Sequence, residues 1–312
     1  MEILQIIIPE RMIDQRIDLA LSEMLPDYSR SKVTAWIKSG DALINKKKFK
    51  PKDKVSGNEM VFLTLTQKDN NYWLPEKIDL NIVYEDDHII VINKPFGLVT
   101  HPGAGNLNGT LANALLYHDS SLSNLDRSGI VHRLDKNTSG LMVVSKNLKS
   151  QKFLVDQMQN HLVEREYSAI VYGHMISGGS INEPIGRDSK DRVKQTISPN
   201  GKEAISHYRV IDRFKSHTHV KVVLETGRTH QIRVHLSHIG HPLIGDPMYG
   251  GRVRFPKKAN TKLKHTLSHF DRHALHSKKL TLDHPATGES MTWKANLPND
   301  MQALLSSLKE FD

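Results

Sequence analysis

One carboxylate in this 312-residue chain stands out by its surroundings. Asp135 lies in Gly129-Ile130-Val131-His132-Arg133-Leu134-Asp135-Lys136-Asn137-Thr138-Ser139-Gly140, a segment of mixed apolar and polar residues just before an apolar run. A carboxylate there can act as base, nucleophile or metal ligand. Taken alone, it can equally accept backbone N–H bonds and shape a turn. A second constellation is His265, His269 and His273, at i, i+4 and i+8, with His276 close behind. That spacing aligns side chains on one helical face and can bind zinc. No carboxylate or cysteine completes such a site, so no metal is assigned. No Walker-type string is present, and the absence of Cys removes thiol nucleophiles, thiolate zinc sites and disulfides.

The elements that must position Asp135 can be read from periodicity. Ile17, Leu21 and Leu25 predict an amphipathic helix over Arg16 to Leu25, stopped by Pro26 and Asp27. Ser29 caps a second helix with Val33, Trp36 and Ile37 on its buried face and Gly40 past its end. Ala42 to Asn45 and Met60 to Leu63 read as strands around a basic loop. Gln67 to Tyr72 is polar and reads as a linker. Beyond it, Ile89 to Asn93, Leu141 to Val144, Tyr167 to Tyr172 and Val220 to Leu224 read as strands. Thr110 to Tyr117, Ser150 to His161 and His230 to His238 read as helices between them. The chain is therefore expected to be α+β in two parts: residues 1–70, a linker at 71–80, and a larger domain over 81–312.

Composition narrows the partners. Forty-three Lys+Arg against 34 Asp+Glu give a net charge of +9, which suits a polyanion. The charge is concentrated: residues 28 to 54 carry nine basic side chains against Asp41 and Asp53. No apolar run approaches the roughly 18 to 20 residues of a membrane-spanning helix. The run Ile3 to Ile8 lacks the basic n-region and cleavage site of a signal peptide. A cytoplasmic protein with no membrane partner is expected.

The Asp135 string closely resembles the catalytic motif of the RluA/RluD family of pseudouridine synthases, and the likeness extends over most of the chain. Asn93-Lys94-Pro95 with Gly97-Leu98-Val99 is similar to the family's first strand and loop. Thr100-His101-Pro102-Gly103-Ala104-Gly105-Asn106 is similar to its RluD branch. Arg165-Glu166-Tyr167 resembles the second motif, and Glu225 through His235 (Glu-Thr-Gly-Arg-Thr-His-Gln-Ile-Arg-Val-His) the third. His241 through Gly250, Leu275-His276 and His284-Pro285 continue the match. The first 70 residues resemble an S4 (α-L) RNA-binding domain through Arg16-Ile17-Asp18, Ser29-Arg30-Ser31-Lys32 and Trp36-Ile37. Asn45-Lys46-Lys47 departs from the usual Asn-Gly turn there.

The resemblance implies a central mixed, mostly antiparallel sheet flanked by helices, preceded by the small S4-like domain. It implies isomerisation of uridine to pseudouridine in RNA: the N1–C1′ bond breaks, the uracil turns, and C5 joins C1′. Positive character at C1′ calls for a carboxylate, so Asp135 is expected as nucleophile or base, through a covalent adduct or a glycal. Arg233 is expected to pair with Asp135 and keep it ionised. Tyr167 is expected to stack on the target base, where stacking contributes roughly 1–3 kcal/mol. Arg133 would fill the space left by the flipped nucleotide or hold its phosphate, Arg228 would contact structure or phosphate, and Leu275 would floor the base. Arg30, Lys32, Lys46 and Lys47 would grip phosphates. The redox-neutral reaction implies no cofactor. The implied partner is ribosomal RNA of the large-subunit precursor, met by a monomer. Two alternatives stay open: the same chemistry on another rRNA site or a tRNA, and a non-catalytic RNA-binding ribosome-assembly factor.

Overall fold

In the computed structural model, all residues are described except 1, 27, 29, 66–72, 104 and 192, together with the side chains of 2, 31 and 65. The N-terminal unit pairs two helices, α1 (Ile17–Met24) and α2 (Arg30–Ser39), with a three-stranded antiparallel sheet. Its strands are β1 (Glu2–Ile7), β2 (Ala42–Ile44) and β3 (Met60–Leu65), in the order β1-β3-β2. The apolar stripes bury as their spacing requires: Ile17, Leu21, Leu25, Val33, Trp36 and Ile37 share one core with Ala42, Val61 and Leu63. The Ile3 to Ile8 run supplies strand β1, which the sequence reading left without a role. The Ser29 cap and the Gln67 to Tyr72 linker fall on residues outside the described set.

Residues 73–80 lie on the larger unit. Trp73 and Leu80 pack against its core. Asn113 Nδ2 donates to Leu74 O at 2.7 Å, and Glu76 N–H donates to Asn113 O at 3.0 Å. Two apolar side chains with satisfied backbone groups hold this part of the expected 71–80 linker to the body.

The larger unit is built on a nine-stranded sheet. Its strands are β4 (Ile82–Glu85), β5 (Ile89–Lys94), β6 (Ser139–Ser145), β7 (Glu164–Tyr172), β8 (Gly179–Asn182), β11 (Ile205–Arg213), β12 (His217–Leu224), β13 (Leu275–Asp283) and β14 (Ser290–Lys294). A separate ribbon pairs β9 (Ile185–Arg187) with β10 (Gln195–Ile197). The main order is β4-β5-β6-β13-β7-β12-β11-β8, with β14 on β13. All pairings are antiparallel but one: β6 and β13 run parallel at the middle. Helices α3 (Leu111–His118), α4 (Leu148–Gln159), α5 (Gln231–His238), α6 (Thr261–Ser268) and α7 (Asn299–Phe311) complete the unit. No described helix is long and apolar enough to cross a membrane.

The parallel seam sets the position of Asp135. Gly140, five residues later, pairs with Ser277 at φ +115°, and a Cβ there would meet the Ser277 carbonyl oxygen at 2.2 Å. Only glycine allows β6 and β13 to approach this closely in that conformation. Gly140→Ala is expected to lower stability by roughly 3 kcal/mol in urea denaturation. An unchanged midpoint would show that the seam can part without cost.

Candidate active site

Backbone and side-chain bonds from several elements fix the Asp135 segment. His132 Nε2 accepts the Val143 N–H at 3.0 Å. Burial, with the nearby Arg165 cation, pushes His132 down to about 3, so it is a neutral acceptor that ties the segment to β6. Thr100 Oγ1 donates to Leu134 O at 2.8 Å. The Lys136 carbonyl accepts Gly97 N–H at 2.8 Å and Lys94 Nζ at 3.2 Å. Thr138 N–H closes a turn on Asp135 O, while its hydroxyl meets His273 Nε2 at 2.7 Å. Lys94 is 1% exposed and also donates to Pro95 O and Leu98 O; its burial pushes the amine down to about 7.

Opposite Asp135, the turn from β12 into α5 is equally constrained. Gln231 Oε1 accepts from Arg228 N–H and Thr226 Oγ1, and its Nε2 donates to Ile205 O and Ser206 Oγ. His230 caps α5 in the left-handed region at φ 58°. Three residues on, about one helical turn, Arg233 reaches the same carboxylate. Arg233 Nη1 donates to Asp135 Oδ2 at 3.0 Å, and His230 Nε2 lies 3.8 Å from Asp135 Oδ1. The other side of the Arg233 fork bonds Asp246, Nε at 2.7 Å and Nη2 at 3.0 Å. Its plane lies 5.0 Å over the Tyr249 ring.

These contacts fix protonation. Burial alone would raise the Asp135 carboxyl, but His230, Arg233 and His273 outweigh it and hold it below the usual carboxylate range. Burial lowers both histidines, His273 to about 4. The guanidinium is therefore the cation that persists at neutral pH. Tyr249 Oη accepts the Gln195 N–H and hydrogen-bonds His230 Nδ1, each at 2.9 Å.

Asp135, Arg133, Tyr167, Arg228, Arg233 and Leu275 line one cavity of about 520 Å³. Tyr167 and Leu275 are also part of the apolar core, 6% and 4% exposed. Burial raises the Tyr167 phenol, which hydrogen-bonds Ser277. Arg228 Nε donates to Glu203 O at 2.8 Å. The four basic residues of the N-terminal unit lie elsewhere. Arg30 is ion-paired to the buried Asp18 at 2.8 Å, opposite Arg16 at 3.0 Å. Lys32 Nζ is 3.7 Å from Asp126 and 5.9 Å above the Trp36 ring. Lys46 and Lys47 are exposed at the tip of the turn after β2.

A family model described as RNA pseudouridylate synthase matches residues 88–238, and an S4 domain model matches residues 15–61. The chain is 51% identical over 303 residues to ribosomal large subunit pseudouridine synthase D of Pseudomonas aeruginosa, covering 97% of this chain and 95% of that protein. The chain belongs to the RNA pseudouridylate synthase family. The Yersinia pestis synthase of the same name is 50% identical over 97% of this chain and 93% of its own length. Among solved structures, human RNA pseudouridylate synthase domain containing 4 aligns with a TM-score of 0.57 and 28% identity, over 73% of this chain and 93% of that one. The protein is thus an RNA pseudouridine synthase, an isomerase with an N-terminal S4 domain.

Membership frames what sequence reasoning missed. Asp246, His230, Tyr249, Lys94 and Arg165 appeared only as letters within motif strings. Asp246 carried one signal, a carboxylate after the apolar Leu243-Ile244, and it is 2% exposed. The histidine alignment does not form, because α6 ends at Ser268. His265 and His269 stack at 4.0 Å, while His273 and His276 turn inward to Thr138 and Ser139. Among the described residues, no group of three or more His, Cys, Asp or Glu is disposed to hold a metal.

Replacing Arg233 by Gln removes the persistent cation, so the Asp135 pKa must rise. The acid limb of the single-turnover rate is expected to move to higher pH by one unit or more. A limb that stays in place would assign the ionisation to another group.

Proposed function

We propose that this synthase isomerises uridines in large-subunit (23S) ribosomal RNA, within the intersubunit stem-loop. The observation that carries the chemistry is the Asp135 carboxylate, 3.0 Å from a buried guanidinium in a cavity walled by Tyr167 and Leu275. The target comes from the two relatives above, whose names specify the large ribosomal subunit, at about half identity over nearly the whole chain. The chain divides into an S4 domain at 1–70 and a catalytic domain at 81–312, with 71–80 connecting. The enzyme works in the cytoplasm as a monomer, and the redox-neutral reaction needs no cofactor.

C1′ of a stacked uridine is out of reach, so the nucleotide is flipped out or taken from an open loop. Tyr167 stacks on the uracil and Leu275 floors it. Asp135 acts as nucleophile or base while the N1–C1′ bond breaks. The uracil turns, C5 bonds C1′, C5 gives up its proton, and N1 gains one. Arg233 keeps the carboxylate ionised and aimed. Arg133, exposed at the mouth, holds the displaced nucleotide or its phosphate, and Arg228 contacts a flanking phosphate. Arg30, Lys32, Lys46 and Lys47 add sequence-independent phosphate contacts from the S4 domain.

Asp135→Asn is expected to abolish pseudouridine formation on a large-subunit rRNA fragment while RNA binding persists, read by carbodiimide-probed primer extension. Full turnover would end this assignment. In a deletion strain, stops at the intersubunit stem-loop should vanish; their persistence would move the target elsewhere. Lys46 has φ +66° at the turn tip, a conformation costing a non-glycine residue about 1 kcal/mol. Lys46→Gly should therefore stabilise the fold by about that amount yet weaken RNA binding, more at low salt than at high salt. Unchanged binding would remove Lys46 from the interface.

A further inference from the structure

Two buried arginines reach the active-site cavity, and their circumstances are opposite. Arg233 is bound by two carboxylates. Arg165, on β7 two residues before Tyr167 and on the same sheet face, is 6% exposed and lines the same cavity. Among the described residues no carboxylate lies within ion-pair distance of it. Nη2 donates to the Glu225 carbonyl at 3.0 Å, and Nε is buried with no partner. The neighbouring acids are engaged elsewhere: Glu166 faces Lys221 at 3.4 Å, and Glu225 pairs with His207. Burial lowers the Arg165 pKa; the Tyr167 phenol opposes this, and a second cation, Arg228, adds to it.

A buried guanidinium without a counter-ion is costly, and folds retain such groups only where something offsets the cost. Its placement is specific. Gly227 packs against the fork, and a Cβ there would meet Arg165 Nη1 at 2.6 Å. The side chain makes no hydrogen bond to Asp135, whose guanidinium partner is Arg233. Arg228, itself held only by the Glu203 carbonyl in the ion-pair and hydrogen-bond pattern of the described residues, borders the same end of the cavity. Two guanidiniums without an acid, one deeply buried with an unpartnered N–H, offer donors of the kind an oxyanion takes.

We propose that Arg165, with Arg228 beside it, forms a phosphodiester subsite that takes the backbone phosphate adjoining the flipped uridine. The assignment of Arg165 is new, and the subsite rests on the RNA-modifying reading above. It makes insertion of the nucleotide depend on one particular phosphate: the charge that the folded protein leaves unpaired is neutralised when the strand enters.

The test uses the full chain, with Arg165→Met, Arg165→Lys and Gly227→Ala. Methionine should bind a uridine-containing stem-loop roughly ten- to a hundredfold more weakly. The slope of log affinity against log salt should fall by about 0.7–0.9, the release of one phosphate contact. Lysine should keep the slope, and Gly227→Ala should mimic methionine in part. RNAs with a single neutral methylphosphonate 5′ or 3′ of the target uridine identify the phosphate. One of them should weaken wild type but not Arg165→Met. Without RNA, Arg165→Met should melt at or above the wild-type temperature. A lower melting temperature makes Arg165 a structural residue and overturns the subsite. So does an unchanged salt slope, or wild-type indifference to both methylphosphonates. The slope is measurable on any RNA the protein binds. If wild type fails to modify large-subunit rRNA while the slope difference persists, the target reading falls and the subsite stands.

Discussion

The active site depends on one guanidinium shared unequally between two carboxylates. Asp246 is saturated: Arg233 bonds both its oxygens, and Met248 and Tyr249 N–H groups bond Oδ1 as well. Asp135 receives the remaining Nη1. That division explains how a buried acid stays ionised and still reactive. One oxygen, Oδ2, is held at 3.0 Å, while Oδ1 faces His230 at 3.8 Å, too far for a hydrogen bond. A carboxylate tied at both oxygens would be oriented but spent. An untied one in this pocket would protonate, because desolvation raises its pKa. Asp246 thus works through Arg233, fixing the fork so that its third donor has one direction left.

The surrounding fold converts buried histidines into neutral connectors. Burial pushes His132 to about 3 and His273 and His276 to about 4. Uncharged, they can accept from or donate to Val143, Thr138 and Ser139 inside the protein without the desolvation cost of an imidazolium. They sit where the Asp135 segment meets β6 and β13, the parallel seam that Gly140 keeps narrow. The site is therefore rigid through neutral bonds and charged only at its reactive edge.

How much of this was legible follows from the range of each interaction. Helices α1 and α2 and strands β5 and β6 announced themselves through local apolar spacing, and so did α3, α4 and α5. Strands β11 and β13 did not. Tyr208 alternates with exposed residues, and β13 begins Leu-His-Ser-Lys-Lys, a polar sequence whose His276 and Ser277 are buried with partners Ser139 and Leu141 across the seam. Asp135, Tyr167 and Arg233 were readable as motif residues. Their partners were not: Asp246 and Tyr249 lie past the end of α5, and Gln195 lies on β10. His230 was closest to legible, three residues before Arg233, but its left-handed conformation depends on the Gln231 network.

Arg165 was visible only as the first letter of Arg-Glu-Tyr, and an acid follows it directly in the chain. Strand alternation keeps the two apart. Glu166 points to the opposite face and meets Lys221, so Arg165 and Tyr167 enter the cavity together without an acid. The same period of two that buries Tyr167 also strands the charge beside it. Among the described residues the guanidinium gains a single carbonyl acceptor, that of Glu225, and no counter-charge. The overall charge of +9 therefore separates into kinds. Surface lysines such as Lys46 and Lys47 are hydrated and carry little cost. Arg233 is compensated within the protein. Among the described arginines and lysines that line the catalytic cavity, Arg165 combines burial with an unpaired N–H, and on the proposed reading an entering polyanion gains most there.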